Sequence, residues 1–101
     1  VTPRVACIIP AYRAAHSLPP VVHQLRRALP GARVIVVDDG SPDETALVAA
    51  DLADRTIRLE GNRGKGVALR AGFEEVLRLG SDIAITIDAD GQHDPTYAPA
   101  L

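Results

Sequence analysis

The run Ile87-Asp88-Ala89-Asp90-Gly91-Gln92-His93-Asp94-Pro95 places two carboxylates two residues apart, where an apolar stretch gives way to a polar one. Hard oxygen ligands at this spacing suit Mg2+ or Mn2+, ions that usually keep several waters and bridge a carboxylate to substrate phosphates. Such a cation would relieve the mutual repulsion of Asp88 and Asp90. The small Ala89 between them leaves room for a ligand to approach the backbone. An acidic turn explains the same two carboxylates but not Gln92 and His93 lined up behind them. His93 is open to two readings, an extension of the metal site or a plain loop histidine.

Three further motifs have chemical potential. Val37-Asp38-Asp39-Gly40-Ser41 puts adjacent carboxylates at the end of another apolar run. One of them can accept hydrogen bonds from a base N–H or from ribose hydroxyls while the other caps the loop or supports the first. The competing reading is Asx turn chemistry. In Asn62-Arg63-Gly64-Lys65-Gly66, glycines permit close backbone approach, and an ammonium beside a helix N-terminus suits a diphosphate. The same residues also suit a left-handed turn, and the run is no P-loop, because Gly66 follows Lys65 where Ser or Thr is required. Pro10-Ala11-Tyr12-Arg13-Ala14 offers a ring to lie against a nucleobase, or simply a strand exit with a surface tyrosine.

These motifs need elements to position them, and the hydrophobic pattern alternates between short apolar runs and amphipathic stretches as βαβαβαβ. A first strand over residues 5–9 is closed by Pro10, which cannot donate to a ladder. Ser17 is placed to cap a helix that takes Pro19 and Pro20 in its first turn, with Leu18, Val21, Val22, Leu25 and Leu29 at helical spacing. Pro30-Gly31 ends it. The continuous apolar run 34–37 predicts a strand covered on both faces. Asp43 is expected to cap a second helix with Ala46, Leu47, Ala50 and Leu52, and residues 56–59 form a short third strand. A third helix follows the Gly-rich turn, with Leu69, Phe73, Val76 and Leu77 on one side and Arg70, Glu74 and Arg78 as successive i, i+4 pairs. The fourth strand covers 83–87. Right-handed crossovers favour an α/β fold with an open parallel sheet in the order 3-2-1-4 and helices on both faces. Ligands then bind outside the carboxyl ends of the strands, where every polar motif falls.

Composition bounds the rest. At 101 residues the chain is at most one domain, with 47% hydrophobic and 3% aromatic residues, and a chain of this length can bury roughly 60–70% of its unfolded surface. A net charge of −2 with dispersed Lys and Arg, together with the scarcity of aromatics, argues against a nucleic-acid partner. The lone Cys7 lies in an apolar run and reads as a small core residue. No run reaches the ~18 apolar residues of a membrane span, and the start has no signal-peptide pattern, so the expected location is the cytoplasm. The start at Val1 and the stop at Leu101, just after the densest motif, read as the bounds of a fragment.

Taken together, VIVVDDGSPDET, NRGKGVALRAGF and ITIDADGQHDP resemble family-2 glycosyltransferases, in particular the dolichyl-phosphate mannose synthase-like polyprenyl-phosphate glycosyltransferases. The resemblance covers nearly the whole chain. It implies that residues 1–101 are the N-terminal, Rossmann-like nucleotide-sugar-binding part of a glycosyltransferase A-type domain. It places Pro10, Ala11, Tyr12, Val37 and Asp39 around the nucleotide, with Asp38 beside them. Asp88, Ala89 and Asp90 would line the diphosphate and metal site, with Asp90 the most direct ligand of Mg2+ or Mn2+ and Gln92 nearby. On physical grounds, a metal held by Asp88 and Asp90 and assisted by Lys65 is placed to stabilise the charge that grows on the leaving group. The implied reaction is inverting hexose transfer from a GDP- or UDP-sugar to a lipid phosphate, at the cytoplasmic face of the membrane in the full-length protein. One departure stands out: many such synthases follow the aromatic residue with Asn-Glu, whereas Arg13-Ala14 follow Tyr12 here.

Three rivals are weighed against this expectation. A receiver-like Mg2+-binding signalling domain would carry its acidic pair after the first strand, which ends here in Pro10-Ala11-Tyr12. A nucleotidyltransferase would carry its Gly-rich loop there. A catalytically incompetent nucleotide-binding fragment is the third.

Overall fold

The computed structural model describes residues 2–89. Seven elements follow in chain order: β1 (Val5–Ala11), α1 (Leu18–Ala28), β2 (Arg33–Asp38), α2 (Thr45–Leu52), β3 (Arg55–Arg58), α3 (Lys65–Leu79) and β4 (Ile83–Thr86). The four strands form one sheet in the order β3-β2-β1-β4, every neighbouring pair parallel. This is the predicted α/β architecture. β1 and β2 are the inner strands, so both of their faces are covered. Cys7, Ile9, Val34 and Val36 pack with Leu18, Val22, Leu25 and Ala49 of α1 and α2. Their alternates Ala6, Ile8, Ile35 and Val37 pack with Ala68 and Val76 of α3, as the two-residue period of a strand requires.

Several local expectations are corrected. β1 does not stop at Ile9 but runs through Pro10 to Ala11, in register with Val37 and Asp38. The β4 side of β1 carries its last bond at Ile8, whose carbonyl accepts the N–H of Ile87 at 3.0 Å. Pro10 stands at the next rung on that side and has no N–H to offer it, so the β1–β4 pairing ends at Ile8 while the β2 side of β1 runs on to Ala11. β2 and β3 each begin one residue earlier than expected and β4 ends at Thr86. Ser17 flanks α1 without capping it; its hydroxyl donates weakly to the Ala14 carbonyl at 3.4 Å. Pro19 and Pro20 remove two of the donors a cap would serve. Asp43 does accept the Thr45 N–H at 3.1 Å, but Glu44 stands between it and α2.

The buried faces of α2 and α3 also differ from expectation. α2 buries Thr45 and Ala49 and leaves Leu47 exposed. It is apolar nearly all round over residues 46–50, so no polar side marks which stripe goes in. On α3 the buried stripe is Ala68, Gly72 and Val76, while Phe73 is 44% and Leu77 80% exposed. The helix lies so close to the sheet that a Cβ on Gly72 would come within 2.4 Å of Ile8 Cγ2. Small residues, not the largest apolar ones, define this contact. Arg78 pairs with Glu75 three residues back, its Nε donating at 2.9 Å, and Glu75 also meets Arg55 of β3. This replaces the expected pairing with Glu74. Gly80 closes α3 in the left-handed conformation, with Gly80 N–H on Leu77 O and Ser81 N–H on Val76 O, a Schellman arrangement.

Candidate functional site

The carboxyl ends of β1, β2 and β4 and the start of α3 enclose a cleft of about 410 Å³. Of the residues singled out from sequence, Pro10, Ala11, Tyr12, Asp39, Lys65, Asp88 and Ala89 all line it. The parallel register explains this. Ala11 stands opposite Asp38, so the loops leaving β1 and β2 emerge at one level, and α3 returns across them.

The β1 exit forms one wall. Tyr12 is 40% exposed, and the Arg13 guanidinium lies 5.6 Å from its ring centroid, within cation–π range. Arg13 has φ +52°, a region that non-glycine residues seldom occupy. Its conformation is held by its own N–H, which donates to Ser41 Oγ at 2.9 Å. The next N–H, of Ala14, donates to Thr45 Oγ1, also at 2.9 Å. Thr45 in turn donates to Asp43 at 2.6 Å. The hydroxyl and N–H of Thr45 hold the Asp43 carboxyl below its ordinary range.

The two adjacent carboxylates divide their work. Asp38 is fully buried and its Oδ1 accepts the Ser41 N–H at 3.1 Å, closing the loop after β2. Its Oδ2 accepts no hydrogen bond among the described residues but lies 3.7 Å from Arg58 Nε. Arg58 also donates to the Ser41 carbonyl at 3.2 Å. Asp38 is therefore the supporting member of the pair and is not among the cleft-lining residues. Asp39 lines the cleft and is 5% exposed, with one oxygen accepting the Arg63 N–H and the other the Gly64 N–H, both at 2.8 Å. The Val37 side chain is fully buried in the core beneath α3, so only its main chain comes near the loop.

At the far side, Lys65 opens α3 and its ammonium donates to Asp88 Oδ1 at 2.6 Å. Asp88 follows β4, and Ala89 beside it is buried against the core. A carboxylate here that already draws a cation to itself is chemically suited to a hard divalent ion. Among the described residues no three His, Cys, Asp or Glu side chains gather into a metal cluster. Asp90, Gln92 and His93 lie outside the described residues. Cys7 plays no part in the site: it is buried, and burial pushes its thiol up to about 11.

Sequence reasoning missed Ser41, Thr45 and Arg58 as the supports of the cleft. Thr45 lies four residues before Ala49 on the stripe that α2 buries, a stripe the apolar run 46–50 did not mark. Arg58 carried no readable signal, since its meaning depends on which strand β3 joins.

The family model described as Glycosyl transferase family 2 matches residues 6–101. The chain belongs to glycosyltransferase family 2. Within that family it is 40% identical to the polyprenol monophosphomannose synthase of Mycolicibacterium smegmatis, over 93% of this chain and 38% of the relative. It is equally 40% identical to the undecaprenyl-phosphate mannosyltransferase of Micrococcus luteus, over 97% of this chain and 42% of the relative. The chain thus spans about two-fifths of the length of these family-2 relatives. Among solved structures, a mannosyltransferase from Pyrobaculum calidifontis in complex with GDP-Man and Mn2+ superposes with a TM-score of 0.76 at 26% identity, over 89% of this chain and 28% of that one. Glucosyl-3-phosphoglycerate synthase from Mycobacterium tuberculosis superposes at 0.75 over 96% of this chain and 37% of that one; at 23% identity it supports the fold alone. Family membership sets aside the receiver-like and nucleotidyltransferase readings.

Proposed function

We propose that the protein transfers a hexose, with inversion, from a GDP- or UDP-sugar to a polyprenyl phosphate, and that residues 1–101 form the donor-binding part of its catalytic domain. The observation that carries this reading is the single cleft in which Tyr12, Asp39, Lys65 and Asp88 meet at the carboxyl edge of the sheet. An aromatic ring, a carboxylate acceptor, a cation at a helix start and a metal-suited carboxylate match the base, ribose and diphosphate of a sugar nucleotide in turn. The lipid-phosphate acceptor is favoured by the names of the two relatives at 40% identity, and the donor and metal by the GDP-Man and Mn2+ of the Pyrobaculum structure.

Asp88, with Asp90 and Gln92 from the following segment, would hold Mg2+ or Mn2+. A bound divalent ion would supply positive charge to the departing diphosphate. The chain's own residues contribute the remainder. Lys65 exchanges its contact with Asp88 for the donor phosphates, joined by the first-turn N–H groups of α3. Tyr12 packs against the base, and Asp39 faces the nucleoside. An acceptor phosphate oxygen bonds to the anomeric carbon as the carbon–oxygen bond to the diphosphate breaks, and the electron pair leaves with the diphosphate. Displacement in one step inverts the anomeric configuration. A phosphate acceptor is already ionised and needs no general base. A lipid acceptor places the reaction at a membrane surface, which we take to be the cytoplasmic face. Among the described residues no helix is long and apolar enough to cross the bilayer.

Titration calorimetry of GDP and UDP on the full-length protein, with Mn2+ and with EDTA, tests the donor site. Binding that needs the metal and collapses in Asp90→Asn is expected; equal binding in EDTA refutes the metal role. Transfer of labelled sugar to polyprenyl phosphate tests the acceptor. Metal-dependent nucleotide binding without any transfer would favour the alternative, a donor-binding unit that does no chemistry.

A further inference from the structure

Asp39 grips two successive backbone N–H groups, those of Arg63 and Gly64, one with each carboxylate oxygen. Gly64 adopts φ +99°, a conformation that side chains resist, and α3 begins at the very next residue. That residue is Lys65, whose ammonium reaches Asp88. A continuous path of short polar contacts therefore runs from the end of β2, through the Gly-rich turn, to the end of β4. Nearly buried and charge-assisted, the Asp39 contacts are the strongest kind of hydrogen bond available to this turn.

We propose that Asp39 is a positioning residue for the diphosphate end of the cleft: by clamping Arg63 and Gly64 it fixes Lys65 and the first-turn N–H groups of α3 toward the phosphates. The proposal rests on the donor-site reading and deepens it. Each carboxylate oxygen keeps a further lone pair, so Asp39 can still meet the nucleoside. What separates the two roles is coupling. A residue that only touches the base or ribose acts independently of Lys65; a residue that places Lys65 does not.

A double-substitution cycle on the full-length protein reads this directly, using GDP and UDP with Mn2+ and, in parallel, guanosine and uridine. Asp39→Asn keeps size and shape but turns one acceptor into a donor facing an N–H. It is expected to weaken the better-bound diphosphate by about tenfold to a hundredfold, and the matching nucleoside by clearly less. In Lys65→Ala, adding Asp39→Asn is expected to cost several-fold less than it costs in the wild-type background, because the share that acts through Lys65 is already gone. Factors that multiply, or equal losses for nucleoside and diphosphate, overturn the proposal. Amide exchange supplies a readout without nucleotide: Arg63 and Gly64 should exchange faster in Asp39→Asn while the β1 and β2 amides keep their protection, and unchanged exchange at both refutes the clamp. Gly64→Ala, where a Cβ meets open space but the φ is unfavourable, should lower diphosphate affinity while sparing the nucleoside; equal losses count against the proposal. A wild-type protein that binds neither GDP nor UDP overturns the donor reading and this proposal with it, whereas normal wild-type binding with multiplying factors overturns the positioning role alone.

Discussion

The two sides of the cleft are built in different ways. At the end of β2, polar groups are largely buried and bonded to one another: Asp38 Oδ1 with Ser41, Ser41 with Arg13, Thr45 with Ala14 and Asp39 with the Gly-rich turn, while Asp38 Oδ2 has the Arg58 guanidinium nearby in place of a hydrogen bond. At the end of β4 the strand is short and largely exposed, and the approach to α3 is the ion pair of Lys65 and Asp88, whose side chains are 62% and 24% exposed. Buried, satisfied networks rigidify a structure, while exposed ion pairs contribute little to stability. The nucleoside side is thus preorganised by folding. The diphosphate side is left electrostatically poised, its cation able to change partners at little cost.

The largest effect is expected at Gly40, which turns the chain after Asp39 with φ +73° and lies so near the next loop that a Cβ would sit 2.4 Å from the Gly61 carbonyl oxygen. Backbone cannot swing aside as a side-chain tip can. Gly40→Ala should destabilise by roughly 2–5 kcal/mol, combining overpacking with an unfavourable φ. Urea unfolding measures this. A loss below about 1 kcal/mol would show that the β2 side is not the rigid one.

Next comes Thr45→Val, which keeps the shape of a fully buried side chain but strands the Ala14 N–H. The expected cost is about 1–3 kcal/mol, that of an unsatisfied buried donor. Its partner Asp43 gives a smaller effect that depends on pH. The Asp43 carboxyl is held below its ordinary value by the Thr45 hydroxyl and N–H. Its contribution is therefore present above the ordinary carboxylate pKa, near ~4, and is lost as pH falls through the lowered value. Asp43→Asn should be less stable than wild type at neutral pH, and the gap should close on acidification below pH ~4. Comparing the two proteins cancels the parallel contribution of Glu75, which its bond to Arg78 lowers in the same direction. A gap that stays constant with pH would show that the network does not depend on the Asp43 charge.

What was legible in the sequence follows the same division. Strand order could be read because residues 34–37 are apolar without alternation and the crossovers have one hand. The convergence of Tyr12, Asp39, Lys65 and Asp88 followed from that order. The buried stripes of α2 and α3 were not legible: α2 has no polar side along residues 46–50, and α3 packs through Gly72 where Phe73 and Leu77 were the larger candidates. Helix-to-sheet distance decides that choice, and periodicity does not encode distance. The family resemblance marked Asp39 over Asp38 as the carboxylate facing the nucleotide, but the support of Asp38 by Arg58 was hidden, because it depends on Arg58 standing opposite Asp38 in the β2–β3 register.

The smallest effect on stability is expected at Lys65, and it is the most informative about the cleft. Lys65→Met removes the ammonium but keeps an unbranched chain at the start of α3. An ion pair this exposed contributes between 0 and about 1 kcal/mol, and relief of Asp88 by solvent offsets part of that. The melting temperature should therefore move by no more than about 4–8 °C, the shift that 1 kcal/mol produces in a domain of this size. Nucleoside diphosphate affinity in Mn2+ should fall about tenfold or more over the same substitution, the loss of one charge-assisted contact to phosphate. The pairing of a small stability change with a large binding change is what a poised cation requires. A Lys65→Met protein as destabilised as Thr45→Val would mean that the Lys65–Asp88 contact is structural after all, and the contrast between the two sides of the cleft would fail.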